Sequence, residues 1–103
     1  MSVANANRGE ASLQVGGEQL VLRPTFEALV AAEEELGSLF SLVEKAAAGE
    51  LTLRQMATLF DHLSQGRSPG ITRERIGEAL VEIGLAKLTP KLRIILGQVL
   101  QGR

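Results

Sequence analysis

His62 is the only histidine in the chain, and Asp61 precedes it directly in the sequence. A histidine beside a carboxylate is a common pair in general acid–base catalysis. Adjacent residues on a helix, however, point about 100° apart, so these two side chains cannot form a catalytic dyad. On the helical wheel His62 lies opposite the apolar stripe of its own segment. The pattern therefore predicts a solvent-facing histidine without a catalytic role.

Three consecutive glutamates at positions 33–35 could supply carboxylates for a magnesium ion or for acid catalysis. Consecutive helical side chains diverge, which disfavours a shared magnesium ion. Glu33 is the unusual member, because the 3.6-residue period places it on the apolar face of its helix. A carboxylate there needs a hydrogen-bond donor. We expect a structural ion pair or helix cap, with Arg23 and Arg67 as candidate donors; a position at the rim of the core is the alternative, and a catalytic acid is least favoured.

The composition narrows the possible chemistry further. The chain has 103 residues, three phenylalanines as its only aromatic residues, and no cysteine. The missing cysteines exclude disulfides, thiolate metal sites and cysteine nucleophiles. Three phenylalanines offer little for stacking on nucleic-acid bases. We therefore expect a single small domain that is not an enzyme and that has no metal site and no cofactor.

Targeting signals are also missing from the sequence pattern. The longest apolar run falls far short of the ~20 residues that a membrane span needs. The start of the chain lacks the basic residues and apolar core of a signal peptide. We expect an intracellular protein that does not bind membranes.

Charge is distributed unevenly along the chain. Residues 1–51 carry eight acidic and three basic side chains, a net charge of −5, whereas residues 52–103 carry four acidic and eight basic ones, a net charge of +4. This asymmetry has two interpretations. The two halves can attract each other within one fold, or the chain can associate head to tail with a second copy or with an acidic partner.

Hydrophobic periodicity predicts a β-hairpin at the start of a single domain. Residues 1–9 are polar and aperiodic, so we expect a disordered tail, followed by one domain at 10–103. Within residues 10–23, apolar and polar side chains alternate on both sides of the glycine pair 16–17. A Gly-Gly pair between two such runs favours a two-residue turn rather than a phosphate-binding loop, which would lead into a helix. A lone hairpin is marginally stable, so its apolar face must pack on helices.

Residues 24–103 have the apolar period of helices. Thr25, Ser38, Thr52 and Thr72 are suitable N-caps for four short helices, and glycines follow the expected helix ends. Thr89 followed by Pro90 predicts the start of a fifth helix that ends near Gln101. The predicted fold is α+β and mostly α: an N-terminal β-hairpin packed on a bundle of four or five short helices.

A helix-turn-helix interpretation of residues 51–85 is an alternative. Arg73 and Arg75 would then lie on the helix that reads DNA. The connection over 65–71 is longer than this motif normally has, and glutamates on the same helix would face the phosphates. The sequence therefore disfavours binding of nucleic acid.

The last predicted helix carries a broad apolar stripe. Such a stripe is typical of a core helix, but Ile94 falls on the opposite side, beside Lys91 and Gln98. A helix with an additional outlying isoleucine can bury a second surface in a partner helix or in another copy of the chain. The candidate partner-binding residues are Leu88, Leu92, Ile94, Ile95 and Val99.

Several short motifs resemble one family of tailed-phage proteins. They are the Asn7–Glu10 start, Thr25 with Ala28 and Leu29, Glu33 four residues before Gly37, and the segment Gly49–Thr52. Across residues 7–66 the chain resembles the tail tube and tail assembly chaperone family associated with gene transfer agents.

The resemblance implies a phage- or prophage-derived morphogenesis protein without catalytic activity, in the cytoplasm of a bacterial host or associated with the virion. It implies a tail assembly chaperone that binds a tape-measure protein or a tail tube protein. A structural tail component that stays in the particle is the alternative, and a homo-oligomer is compatible with both.

Overall fold

A computed structural model describes residues 4–5 and 8–102. Two strands, β1 (Ala11–Val15) and β2 (Glu18–Leu22), precede five helices. The helices are α1 (Phe26–Leu36), α2 (Leu39–Ala47), α3 (Leu53–Leu63), α4 (Arg73–Ile83) and α5 (Leu85–Gln101). The predicted α+β, mostly α fold is confirmed.

The hairpin is antiparallel, and its register follows from the glycine turn. Gly16 and Gly17 both have positive φ, as a tight turn with the twist of the flanking strands requires. Leu13 therefore pairs with Leu20, and Ala11 pairs with Leu22. All four side chains are buried on one face of the hairpin. That face packs on α3, α4 and α5.

The predicted helix caps are confirmed. The hydroxyl groups of Thr25, Ser38, Thr52 and Thr72 each accept a hydrogen bond from the main-chain N–H three residues later. Such a bond satisfies one of the donors that the first helical turn leaves unpaired. At Thr52 the Gln55 side chain also accepts from the Thr52 N–H, which completes a capping box.

The predicted start of the fifth helix at Thr89 and Pro90 is wrong. Gly84, at φ 92°, ends α4 and leads straight into α5, so Pro90 lies inside the helix. Leu88 is buried in the core, which anchors the first turn in helical form. The Thr89 hydroxyl donates to the Leu85 carbonyl at 3.2 Å instead of capping a helix. Pro90 removes one helical N–H, and the other contacts of α5 outweigh that loss.

The expected disordered tail at 1–9 lies partly outside the described residues. Among those described, the main-chain N–H groups of Arg8 and Glu10 both donate to the Asn5 carbonyl. The Asn5 N–H donates to the Glu10 carboxylate at 2.9 Å. Gly9 is buried and lies against Gln98 of α5. Within the described residues, no helix combines the length and the apolar character that crossing a bilayer requires.

One core joins the hairpin to α1, α3, α4 and α5. Phe60 on α3 is 0% exposed and is one of its largest side chains. Helix α2 is peripheral, since Leu42 is its only buried side chain among the described residues. Phe26, at the start of α1, is 83% exposed.

Two alanine substitutions at phenylalanines separate the core from the surface. We expect Phe60→Ala to lower the free energy of unfolding by about 3–5 kcal/mol, because it leaves a cavity in the core. Phe26→Ala, the matched control, removes an exposed ring and should change it by less than about 0.5 kcal/mol. Chemical denaturation measures both values. Equal effects of the two substitutions would contradict this core.

Candidate partner-binding surface

Charged side chains of α1, α3 and α4 form one connected cluster. The Arg73 guanidinium donates to both carboxylate oxygens of Glu35, at 2.7 and 2.8 Å, and to Asp61 at 2.8 Å. His62 Nε2 lies 2.6 Å from Glu35 Oε1. Arg67 donates to Asp61 from the connection between α3 and α4. The cluster therefore ties three helices and one loop together.

The side chains of this cluster are hydrogen-bonded to one another, and these bonds shift the pKa values of two of them. Hydrogen bonds from Arg73, and then from His62, lower the pKa of Glu35 to about 2. Hydrogen bonds to Glu35 and Asp61 raise the pKa of Arg73. The prediction of a solvent-facing His62 is wrong, because its ring is held against Glu35. Sequence spacing did not reveal this contact, since the two residues come from different helices.

The cluster also includes Arg73, one of the two arginines that the helix-turn-helix interpretation placed on the DNA-reading helix. Arg73 is committed to Glu35 and Asp61. Arg75 is exposed and lies beside the hairpin turn at Gly16. The two arginines of the helix-turn-helix interpretation therefore have different surroundings, and one of them is already paired.

Glu33 acts as a cap. Its carboxylate accepts a hydrogen bond from the Leu39 main-chain N–H, in the first turn of α2, at 3.0 Å. This confirms the predicted structural role, but the two candidate donors were wrong. Arg23 pairs with Glu10 at 3.4 Å, and Arg67 pairs with Asp61.

The five candidate residues on α5 lie in three different environments. Leu88 and Ile95 are fully buried in the core, so neither offers surface to a partner in this fold. Leu92 and Val99 are half-buried and border a groove between α2 and α5. Ile94 is also half-buried. It shares its side of α5 with Lys91, which donates to the Ser12 carbonyl of β1 at 2.5 Å. The side of α5 that carries Ile94 therefore also contacts the hairpin through Lys91.

Two exposed apolar side chains lie where α2 meets α5. Phe40 is 75% exposed, and Leu100 is 58% exposed. Two depressions lie between these helices, of about 200 Å³ and about 420 Å³. We call this surface the α2–α5 face and define it by Glu33, Phe40, Val43, Ala46, Ala47, Thr89, Leu92, Arg93, Gly97, Val99 and Leu100.

Phe26 and Val30 extend the exposed apolar surface along α1. Both are exposed. With Glu33, which lines the smaller depression, they follow the i, i+4, i+7 spacing of one helix side. The apolar period alone does not distinguish Phe26 and Phe40 from the buried residues of their helices. One feature of the sequence does indicate their exposure: the helices carry more apolar residues than one narrow stripe on each helix can bury.

A larger open groove of about 940 Å³ lies between α1, α3 and α4. Its lining includes five charged side chains, and Arg73 and Glu35 among them already neutralise each other. Val81 is exposed there but stands among glutamates of α4. The cores of protein interfaces are depleted of charged residues. The smaller α2–α5 face, whose two depressions have Glu33 and Arg93 as their only charged lining residues among the described residues, is therefore the better candidate for binding a partner.

The comparison with protein families identifies the chain. A family model described as phage tail tube protein, GTA-gp10, matches residues 8–102. The chain belongs to this phage tail family. The match extends well past residue 66, so α4 and α5 are part of the family domain. No curated protein and no solved structure matches the chain significantly.

In this member of the phage tail family, the charged cluster predicts a pH dependence of stability. Because the pKa of Glu35 is about 2, below its ordinary value of 4.5, its contribution to stability is complete above about pH 4.5 and is lost as the pH falls towards 2. Glu35→Gln should therefore be less stable than the wild type at neutral pH, and the difference should shrink through that window. Denaturation at several pH values measures it.

The neighbouring residue provides a control. Glu34→Gln changes the same chemical group on the same helix turn, and Glu34 forms no ion pair with the other described residues. The difference in the free energy of unfolding between Glu34→Gln and the wild type should stay constant with pH. A Glu35→Gln difference that stays constant from pH 7 to pH 2 would show that the cluster contributes nothing electrostatic.

Proposed function

We propose that the chain is a non-enzymatic tail morphogenesis protein, a tail assembly chaperone that binds a helix of another tail protein through its α2–α5 face. The proposed partner is the tape-measure protein or a tail tube protein. Membership of the phage tail family supports a role in the tail. The choice between a chaperone and other tail roles comes from the surface.

The observation that carries the proposal is the exposure of Phe40 beside Leu100. The core forms elsewhere, between the hairpin and α1, α3, α4 and α5, and does not cover these two side chains. Fully burying one such side chain is worth about 1.5–3 kcal/mol. Phenylalanine at the centre of a contact is also a typical anchor of protein interfaces. Since association itself costs several kcal/mol, a few such anchors give reversible binding, which suits a chaperone.

The shape of the face suits a helix. Side chains of both α2 and α5 line the two depressions, so the face is a groove between two helices. Two adjacent helices leave a groove that a third amphipathic helix can fill. Ala46, Ala47 and Gly97 line it, and small side chains let another helix approach closely.

Two of the α5 residues chosen from the sequence remain in the proposed contact. Leu92 and Val99 line the groove and would touch the partner. Leu88, Ile94 and Ile95 would act indirectly, by holding α5 against the core and the hairpin. Phe40, Val43 and Leu100 join the contact in their place.

A second candidate function is that of a structural component retained in the finished tail. The description of the matching family as a tail tube protein favours it. Mass spectrometry of purified particles separates the two functions. A stoichiometric amount of this chain in particles would support the structural role, and its absence from particles that contain the other tail proteins would support the chaperone.

A charge placed on the α2–α5 face tests the proposed contact. We expect Phe40→Asp to weaken capture of the co-expressed tape-measure or tail tube protein at least tenfold, because an apolar anchor becomes a hydrated carboxylate. The position is exposed, so the free energy of unfolding should change by less than about 0.5 kcal/mol. Quantitative co-purification measures capture.

Val81→Asp is the matched control. Val81 is also an exposed apolar residue, but it lies in the charged groove between α3 and α4. This variant should capture the partner as well as the wild type. If Phe40→Asp captures as well as the wild type, or if Val81→Asp alone fails, the α2–α5 face is not the binding surface.

A further inference from the structure

The α2–α5 face has two distinguishable ends. Phe40 and Glu33 lie at one end, which we call the aromatic end. Ala47, Thr89 and Arg93 lie at the other, which we call the basic end. Val43 and Leu100 line both depressions and so lie between the two ends.

The two ends are complementary in shape. At the aromatic end, the Phe40 ring projects into solvent. At the basic end, the depression of about 420 Å³ is lined by small side chains, Ala46, Ala47 and Gly97 among them. A hollow of that volume has room for a phenylalanine ring. One end thus carries a projecting side chain, and the other carries a recess.

The two ends are also complementary in charge. Glu33 lines the aromatic end. One of its carboxylate oxygens accepts a hydrogen bond from the Leu39 N–H, and the other forms no hydrogen bond with the described residues. Arg93 is exposed at the basic end and has no ion pair within residues 4–5 and 8–102. The apolar middle of the face therefore lies between an acid and a base.

A two-fold axis that lies in the interface, perpendicular to the line joining the two ends, places each end of one copy over the opposite end of the other. An axis near Val43 would place Phe40 of one copy over the recess of the other and Glu33 of one copy beside Arg93 of the other. Both contacts occur twice, as in every isologous interface. From this double complementarity we infer that the chain forms a two-fold symmetric homodimer through its α2–α5 face.

The second copy is favoured over other occupants because the face complements itself in both shape and charge. The dimer covers the exposed phenylalanine while no tail partner is present. A helix of a tail protein would then compete with the second copy for the same groove. The inference goes beyond the proposed function, since self-association is measured on the purified chain alone and stands or fails without any tail protein.

Sedimentation equilibrium of the full chain tests the dimer. The wild type should show a reversible monomer–dimer equilibrium with no larger species. Arg93→Glu should raise the dissociation constant at least tenfold, because it places like charges together twice per dimer. Glu33→Arg should do the same, and the double variant Glu33→Arg/Arg93→Glu should return to within about threefold of the wild type.

Two further variants separate the ion pair from the cap of α2. Glu33→Gln keeps an oxygen that can accept from the Leu39 N–H but removes the charge, so it should weaken the dimer without lowering stability. Glu34→Arg places a new charge one residue away and should leave the dimer unchanged. A wild type that stays monomeric at its solubility limit, a double variant no tighter than Arg93→Glu alone, or assembly beyond a dimer would each overturn the inference.

Discussion

Leu42 is the one fully buried side chain of helix α2 among the described residues, so α2 packs only loosely on the core. This packing determines which apolar side chains remain on the surface. The core forms between the hairpin and the other four helices, so α2 adds few apolar contacts to it. Ser38 and Glu33 stabilise the first turn of α2 through its main-chain N–H groups. Apolar side chains that no core element covers, Phe40 foremost, therefore remain exposed beside α5.

The opposite flank of α1 shows the contrasting case. Glu35, two residues after Glu33, points towards α3 and α4 and joins the cluster of Arg73, His62 and Asp61. These charges satisfy one another within the monomer. Because two positions on one helix that are two residues apart lie about 160° apart, α1 separates the charged cluster from the α2–α5 face. The location of the candidate contact follows from this division.

Local rules predicted most of the fold. Alternation on both sides of Gly16–Gly17 predicted the hairpin, and the cap residues predicted the starts of α1 to α4, because these signals act within a few residues of one another. Longer-range contacts escaped prediction. His62 meets Glu35 across 27 positions. The exposure of Phe40 likewise depends on where α5 packs. The internal Pro90 was misread because the buried Leu88 outweighs a local start signal.

We propose that this phage tail protein binds its partner through the face between α2 and α5. The most direct test is hydrogen exchange of the free chain, diluted until it is monomeric, compared with its complex with the co-expressed tape-measure or tail tube protein. We predict added protection over α2 and the second half of α5 in the complex, with little change in α3 and α4. Protection confined to the groove of α3 and α4, with α2 exchanging as in the free chain, would contradict it.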